Sequence, residues 1–231
     1  GLERPAPVVV FFYGGSWEKG SKDRYLFVGQ AFASAGAVVV IPDYRTWPEV
    51  MFPAFLEDGA KAVAWVQENI GRFGGDQEQV TLMGHSAGAH IAAMVALDRS
   101  FLTAAGGEPA GLDALVGIAG PYDFLPIRDP TVKKIFDVDD EQRTQPINFV
   151  RPGAPRTLLL HGGDDTTVVA KNSRNLAKAL VDAGVPVDLH IYDEIGHLEI
   201  VAALAAPLRW IADTREDAVR FLDLEKADPT S

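Results

Sequence analysis

Cysteine is absent from this 231-residue sequence. Its absence excludes disulfide bonds, thiolate metal ligands and a cysteine nucleophile together. Positive charge is also scarce, because 21 Lys and Arg residues stand against 32 Asp and Glu residues, for a formal net charge of −11. This acidic surplus argues against nucleic acid or an anionic membrane as a partner. A chain without cysteine suits the cytoplasm as well as a periplasmic or secreted location, so the compartment stays open.

Long apolar runs are missing as well. No run reaches the roughly 18 residues that a membrane span needs, so no span is expected. The chain does not open with a basic region followed by an apolar one, so no signal peptide is expected, and a first residue Gly1 is compatible with removal of an upstream segment. The length and the ordinary hydrophobic fraction of 47% predict one domain over residues 1–231.

Short apolar runs alternate with segments of helical spacing. The runs that predict strands are 7–13, 38–41, 80–83, 115–118, 157–160 and 187–192. The predicted helices are 23–35, 53–70 with Gly71 as cap, 87–98, 169–183 with Thr166 or Thr167 as cap, and a final helical region after 196. This alternation predicts an α/β fold with a mostly parallel central sheet and helices on both faces. In such sheets ligands bind outside the carboxyl ends of the strands.

A Gly-x-Ser-x-Gly motif, Gly84 to Gly88, lies between a predicted strand and a predicted helix. In that context the serine occupies a tight turn, the two glycines relieve crowding, and the hydroxyl of Ser86 is exposed at the edge of the sheet. The helix that follows points its amino end at the same place, so the N–H of Ala87 is positioned to stabilise an oxyanion. The motif therefore indicates a serine nucleophile.

A serine nucleophile needs a base and a carboxylate that orients the base. His197 follows Gly196 just after the last predicted strand, at the same edge as Ser86, and is the predicted base. The carboxylate is expected from Asp164 or Asp165 after the fifth strand, and local geometry does not choose between them. The other four histidines are expected to be structural: His85, whose backbone matters more than its ring, His90, His161 and His190.

Two further segments belong to the predicted site. The turn after the first strand is expected to complete an oxyanion hole with the N–H groups of Gly15 and Ser16, beside that of Ala87. Residues 122–156 carry several prolines and no long period, which is unusual for a connection inside a domain. This insertion is interpreted as a small lid, with a solvated surface excursion as the equal alternative.

Taken together, the motifs resemble those of α/β-hydrolases of the lipase and esterase kind, related to hormone-sensitive lipase and kynurenine formamidase. The resemblance covers nearly the whole chain. The matching motifs are Tyr13-Gly14-Gly15-Ser16-Trp17, Pro42-Asp43-Tyr44-Arg45, Phe73-Gly74-Gly75-Asp76, Gly84 to Gly88, His161-Gly162-x-x-Asp165-x-x-Val168, and Gly196-His197. It implies an α/β-hydrolase fold and the chain order Ser86, acid, His197, with Asp165 rather than Asp164 as the acid.

The sequence departs from that family in two respects. Tyr13 stands where the family has a histidine, which is expected to be tolerated because the oxyanion donors are backbone groups. The family also has two strands before this one, and only seven residues precede Val8. Either the chain was trimmed or it is a shortened member whose sheet has the strand 38–41 at an edge.

The expected activity is hydrolysis of uncharged carboxylic esters with short to medium acyl chains, through an acyl intermediate on Ser86. Amide cleavage of the kynurenine-formamidase type is the alternative, and a non-catalytic module of this fold is a third. Trp17, Tyr44 and Trp47 are candidates to line an apolar pocket, although core packing is the commoner place for aromatic residues. No cofactor or metal is predicted, the ester partner is small or polymeric, and the oligomeric state stays open.

Overall fold

The computed structural model describes residues 5–224 of the chain. The strands within this range are Ala6–Phe12 (β1), Val38–Val40 (β2), Gly75–His85 (β3), Leu112–Ile118 (β4), Arg156–Gly162 (β5) and Val187–Tyr192 (β6). They form one six-stranded sheet in the order β2-β1-β3-β4-β5-β6, and every neighbouring pair is parallel. The parallel α/β sheet predicted from the apolar runs is confirmed.

Helices connect the strands and cover both faces of the sheet. Their bounds are Leu26–Ala33 (α1), Ala54–Asn69 (α2), Ala87–Leu97 (α3), Arg99–Ala104 (α4), Pro130–Ile135 (α5), Lys171–Asp182 (α6), Glu199–Ala202 (α7) and Thr214–Phe221 (α8). The connection through α1 runs from β1 to β2, towards the β2 edge of the sheet. The connections through α2, α3 and α6 run the opposite way, towards the β6 edge. Because such crossovers are right-handed, α1 lies on the face opposite these three helices. None of the helices described is long and apolar enough to cross a membrane.

The central strands are buried because they are continuous in Val, Leu, Ile and Phe rather than alternating. In β1, for example, the residues from Val8 to Phe12 are at most 1% exposed, whereas the edge strands β2 and β6 are only partly buried. All eleven residues of α3 are buried, and its alanines and glycine let it pack closely against the middle of the sheet. The helix that follows Ser86 is thus packed against the buried middle of the sheet.

Several predicted boundaries differ from the structure. The chain after α2 makes a 3-10 turn, Ile70–Phe73, and the residue with left-handed backbone that ends it is Gly74 (φ 81°) rather than Gly71. The residue at the N-cap of α6 is Ala170, which makes no side-chain hydrogen bond to the helix. Neither Thr166 nor Thr167 is therefore its cap. The third strand begins at Gly75, because Gly75 pairs with Ala6 of β1, and the polar residues 76–79 lie in the register shift between that pair and Val80.

The insertion 122–156 packs tightly on the body of the protein. It contains α5 and two 3-10 turns, Glu141–Thr144 and Pro146–Phe149. The ring of Phe136, in this insertion, lies 4.8 Å from the ring of Trp17 and 5.7 Å from that of Phe55, so the insertion rests on α2 and on the turn after β1. That it works as a lid, and that residues 1–231 form a single domain, stay predictions.

Candidate active site

Ser86 occupies the turn between β3 and α3 with φ 55° and ψ −124°, a conformation that costs energy for a residue with a side chain. A Cβ atom on Gly84 would lie 2.3 Å from the carbonyl O of Gly88, and one on Gly88 would lie 2.0 Å from the carbonyl O of Phe12. Both positions therefore require glycine for the turn to pack against β1. The Ser86 N–H donates to the carbonyl O of Ile118 at 2.9 Å, which ties the turn to β4.

A series of hydrogen bonds links Ser86, His197 and Asp165. The Nε2 atom of His197 lies 2.9 Å from Oγ of Ser86, and its Nδ1 atom lies 2.6 Å from Oδ2 of Asp165. A carboxylate only accepts hydrogen bonds, so Nδ1 carries the imidazole proton and the lone pair on Nε2 faces the serine hydroxyl. In this arrangement His197 can take the proton of Ser86.

Asp165 is a buried carboxylate that several donors surround. Oδ1 accepts from the N–H groups of Thr167 and Val168 at 2.9 and 2.8 Å, and Oδ2 lies 3.4 Å from Nε2 of His161. Burial alone would raise the pKa of Asp165, but the hydrogen bonds from His161, His197 and Val168 outweigh it and hold that pKa well below its usual range. Asp165 is therefore ionised throughout the neutral range.

Asp164 differs from its neighbour in exposure and in hydrogen bonding. Its side chain is exposed, while its backbone N–H donates to the carbonyl O of Ile195 at 3.1 Å. Of the two aspartates that the sequence offered, the structure brings only Asp165 to His197.

The turn after β1 presents N–H groups next to Ser86. Ser16 and Trp17 have positive φ angles of 56° and 59°, and within residues 5–224 neither of their N–H groups donates a backbone hydrogen bond. Ala87 is the first residue of α3, so its N–H has no acceptor inside the helix. Ser16, Trp17 and Ala87 all border the same cleft as Ser86, whereas Gly15 lies just outside its lining. A Cβ on Gly15 would lie 1.8 Å from the carbonyl O of Lys19.

Tyr44, which the sequence suggested for the pocket wall, supports this turn instead. It is buried, and its hydroxyl donates to the carbonyl O of Tyr13 at 2.7 Å. The two rings stack with their centroids 4.7 Å apart, and the hydroxyl of Tyr13 donates to Asp43 at 3.0 Å. Tyr13 stands where the hydrolases that this sequence resembles have a histidine. It supports the turn by stacking on Tyr44 and by its hydrogen bonds.

A cleft of about 570 Å³ opens beside Ser86. The turn after β1, the insertion and the start of α6 all contribute to its walls. The side chains that line it are Ser16, Trp17, Asp123, Phe124, Leu125, Ile127, Arg128, Asp129, Val132, Thr167, Val168, Val169, Lys171 and Asn172. Trp17 is among them, whereas Tyr44 and Trp47 are not. Tyr44 packs beneath the turn, and the backbone N–H of Trp47 donates to the carbonyl O of Trp17. That Trp17 contacts a substrate stays a prediction.

The remaining histidines have distinct surroundings. His90 is buried and its Nε2–H donates to the carbonyl O of Thr144 at 2.8 Å, which ties the insertion to α3. His161 lies beside Asp165. Its Nε2–H donates to the carbonyl O of Val168 at 2.7 Å, and the same Nε2 lies 3.4 Å from Oδ2 of Asp165. Nδ1 of His190 lies 3.2 Å from Oδ2 of Asp217. His85 is different from what the sequence suggested, because its ring as well as its backbone contacts the site.

The start of α6 is the part of the cleft that sequence reasoning missed. Asn172 is buried, and its Oδ1 accepts from the N–H groups of Tyr122 and Asp123, both at 2.9 Å. A signal was present, because Asn172 precedes Leu176 and Leu180 at helical spacing and so puts an amide on the apolar face of the helix. Within residues 5–224, no group of three or more His, Asp or Glu side chains is arranged to hold a metal ion.

The comparisons with known proteins point to one family. The model of the BD-FAE family matches residues 1–180, a range that contains Ser86 and Asp165 and ends before His197. The probable isoprenylcysteine alpha-carbonyl methylesterase ICMEL1 of Oryza sativa subsp. japonica is 32% identical over 226 residues, which are 88% of this chain and 53% of that protein. Esterase LipC of Mycobacterium tuberculosis is 30% identical over 220 residues, 87% of this chain and 53% of that protein. The chain thus spans about half the length of these relatives.

A solved structure identifies the fold. Thermogutta terrifontis esterase 2 in its apo form aligns with a TM-score of 0.79 at 22% identity, over 98% of this chain and 86% of that one. The α/β-hydrolase fold expected from the motifs is therefore confirmed.

Proposed function

Because the chain belongs to the BD-FAE family, we propose that it hydrolyses carboxylic esters through an acyl intermediate on Ser86. The observation that carries the proposal is the hydrogen-bond series from Ser86 through His197 to the buried Asp165, at the side of a cleft. The names of the relatives, a methylesterase and an esterase, support ester rather than amide substrates.

In the acylation step, Nε2 of His197 takes the hydroxyl proton while Oγ of Ser86 attacks the ester carbonyl carbon. Asp165 holds the imidazole in the required tautomer and stabilises the imidazolium that forms. The negative charge that develops on the carbonyl oxygen is stabilised by the N–H of Ala87, together with N–H groups of the turn after β1, among which Ser16 borders the cleft. The C–O bond then breaks, and the imidazolium returns its proton to the departing alcohol.

Deacylation repeats the same steps with water. His197 takes a proton from water, the hydroxide oxygen attacks the acyl carbon, and Ser86 leaves with the proton that the imidazolium returns. The products are a carboxylic acid and a regenerated enzyme, and the balance requires no cofactor.

Ester substrates with short to medium acyl chains suit the cleft. Its volume of about 570 Å³ lies inside the range of roughly 300–1,000 Å³ that small-molecule sites occupy. Phe124, Leu125 and Ile127 give it an apolar wall, which favours uncharged acyl groups.

The test is a panel of p-nitrophenyl esters from acetate to decanoate, measured on the wild type, on Ser86→Ala and on His90→Gln as a control. We expect wild-type hydrolysis that weakens as the acyl chain lengthens. Ser86→Ala should lower kcat by about 10⁶-fold or to background, with an unchanged melting temperature. His90→Gln should retain most of the activity, because that ring faces the insertion and not Ser86.

Two results would overturn the proposal. One is a Ser86→Ala variant that still hydrolyses the esters. The other is a folded wild type that hydrolyses none of them. In that case cleavage of an N-formyl aryl amide by the same residues replaces ester hydrolysis as the proposal.

A further inference from the structure

His85, the residue before the nucleophile, contacts the loop that carries His197. Its Nε2 atom lies 3.0 Å from the carbonyl O of His197. A carbonyl only accepts hydrogen bonds, so Nε2 carries the proton and donates it. The centroids of the two imidazole rings are 4.8 Å apart, and His85 is only 2% exposed. The side chain of His85 is therefore part of the interior surface on which the His197 loop rests.

Two consecutive residues of the turn thus hold His197 at two points. Ser86 bonds its side chain at Nε2, 2.9 Å away, and His85 bonds its backbone carbonyl at 3.0 Å. Both contacts come from the turn between β3 and α3, which packs so closely that a Cβ atom on Gly84 or Gly88 would clash with neighbouring backbone. The distance from the serine hydroxyl to the imidazole is consequently set by the turn itself.

The turn after β1 lies against the same ring. A Cβ atom on Gly14 would come within 3.0 Å of both Nδ1 of His85 and Cβ of Ser86. His85 therefore lies between the turn that borders the oxyanion site and the loop that carries His197. One side chain contacts both segments that must be in register with Ser86.

From these contacts we propose that His85 is a positioning residue, which fixes the backbone of His197 so that its imidazole faces Ser86. The inference rests on the proposed function, since it assigns a purpose to a contact with the proposed base. The hydrogen bond does not touch the substrate. It reduces the freedom of the loop around His197, and an error of about 1 Å in such a group lowers a rate by as much as 100-fold.

A neutral ring is required for this purpose, and the site keeps His85 neutral. Burial, with a further contribution from nearby His197, lowers the pKa of His85 to about 3. A positive charge on this ring would oppose the imidazolium that His197 becomes during the reaction. The neutral ring donates a hydrogen bond without that penalty.

Packing alone does not account for a histidine here. The Nδ1 atom of His85 is buried, and within residues 5–224 no hydrogen-bond partner reaches it. Burying a polar atom without a partner destabilises a protein, so an apolar side chain of similar size would fill the space at lower cost. Leucine, for example, would fill the space but has no hydrogen-bond donor in place of Nε2.

This difference defines the experiment. His85→Leu removes the donor and the unpartnered nitrogen together, whereas His85→Gln keeps an N–H donor at a position close to that of Nε2. We expect His85→Leu to lower kcat for p-nitrophenyl acetate by about 10- to 100-fold, with KM changed less than about twofold. Its melting temperature should stay close to that of the wild type, because removal of the unpartnered Nδ1 offsets the loss of the donor to His197. His85→Gln should recover most of the lost kcat.

Opposite patterns would overturn the proposal. A His85→Leu variant with wild-type kcat, or a His85→Gln variant as slow as His85→Leu, would show that the donor does not position His197. If His85→Leu does not fold, His85→Asn decides, because its shorter amide does not reach the carbonyl of His197 and it should be slower than His85→Gln.

A second measurement separates this inference from the proposed function. A fluorophosphonate probe phosphonylates a serine that a neighbouring base activates and releases fluoride, so it needs no ester turnover. We expect its rate constant on His85→Leu to fall by the same factor as kcat. A wild type that reacts with the probe but hydrolyses no ester would overturn ester hydrolysis and leave the His85 comparison fully measurable.

Discussion

At the scale of single residues, Asp164 and Asp165 show how strongly surroundings decide chemistry. The two have the same side chain and adjacent places in the chain, yet one is exposed to solvent and the other lies in a shell of donors. Only the buried carboxylate can hold the tautomer of His197 that accepts a proton from Ser86.

The two aspartates give a matched pair of variants. Asp165→Asn should lower kcat by about 10⁴-fold, because the amide no longer selects the Nδ1-protonated imidazole. Asp164→Asn should stay within about twofold of the wild type, as is usual for exposed positions. Steady-state kinetics on p-nitrophenyl acetate measures both, and a larger loss for Asp164→Asn would move the orienting carboxylate by one residue.

The residue scale also shows where sequence reasoning stops. The chain pattern identified Ser86, His197 and the pair of aspartates, because each follows a predicted strand. It did not find the ring of His85, because a hydrogen bond to the backbone of a residue 112 positions away leaves no local pattern. Tyr44 was misplaced for a related reason, since an aromatic residue near the sheet edge can face the cleft or the protein interior.

At the scale of elements, the insertion 122–156 is held to the body by polar anchors. Asn172 of α6 accepts from two of its backbone N–H groups. Inside the insertion, Oε1 of Gln145 accepts from the N–H of Phe124 at 2.7 Å. His90 adds a third contact from α3. The wall of the cleft that the insertion supplies is therefore formed before any substrate arrives.

Removal of the amide at 172 tests this anchoring. Asn172→Ala leaves the N–H groups of Tyr122 and Asp123 without their acceptor, so the free energy of unfolding should fall by about 1–3 kcal/mol. The KM for p-nitrophenyl butyrate should rise while the rate of the chemical step changes little. Asn175→Ala on the same helix, which loses only a bond to the side chain of Asp123, should have the smaller effect on both, and equal KM values for the three proteins would contradict the anchoring.

Element boundaries were less predictable than element types. The six strands and the major helices follow from apolar runs and helical spacing. Helix ends do not. Either Gly71 or Gly74 could cap the chain after α2 by its residue type, and Gly74 does so because the 3-10 turn Ile70–Phe73 continues past Gly71. The short polar start of β3 likewise depends on pairing with β1 and not on its own composition.

At the scale of the whole molecule, the parallel sheet brings distant turns to one edge. The turns after β1, β3, β5 and β6 carry the proposed oxyanion donors, Ser86, Asp165 and His197 in that order. This gathering was predictable, since carboxyl ends of parallel strands share an edge. The shape of the cleft was not, because it depends on how the insertion folds over that edge.

The buried histidines make the stability of the whole molecule sensitive to acid. Burial lowers the pKa of His85 to about 3 and that of His90 to about 4, against roughly 6.5 in the unfolded chain. As the pH falls below 6.5 the unfolded chain binds protons that the folded one does not, so the free energy of unfolding falls by up to about 1.4 kcal/mol per pH unit for each histidine. The low pKa of Asp165 adds to this loss only below roughly pH 4.

Urea denaturation at pH 7, 6 and 5 measures this slope. The free energy of unfolding should decrease at each step, and His90→Gln should show about half of the decrease that the two histidines produce together. A stability that stays constant from pH 7 to pH 5 would mean that neither ring has a lowered pKa in the folded protein.

The separation of Ser86 and His197 by 111 positions has a consequence for biosynthesis. During synthesis the proposed nucleophile is added first, the proposed carboxylate follows 79 positions later, and the proposed base is added last. A polypeptide still attached to the ribosome near residue 180 therefore carries a serine that nothing activates. In the proposed mechanism Ser86 gains its base only when the sixth strand has been added to the sheet and the following loop has closed, so we expect the growing chain to be unreactive towards esters until then.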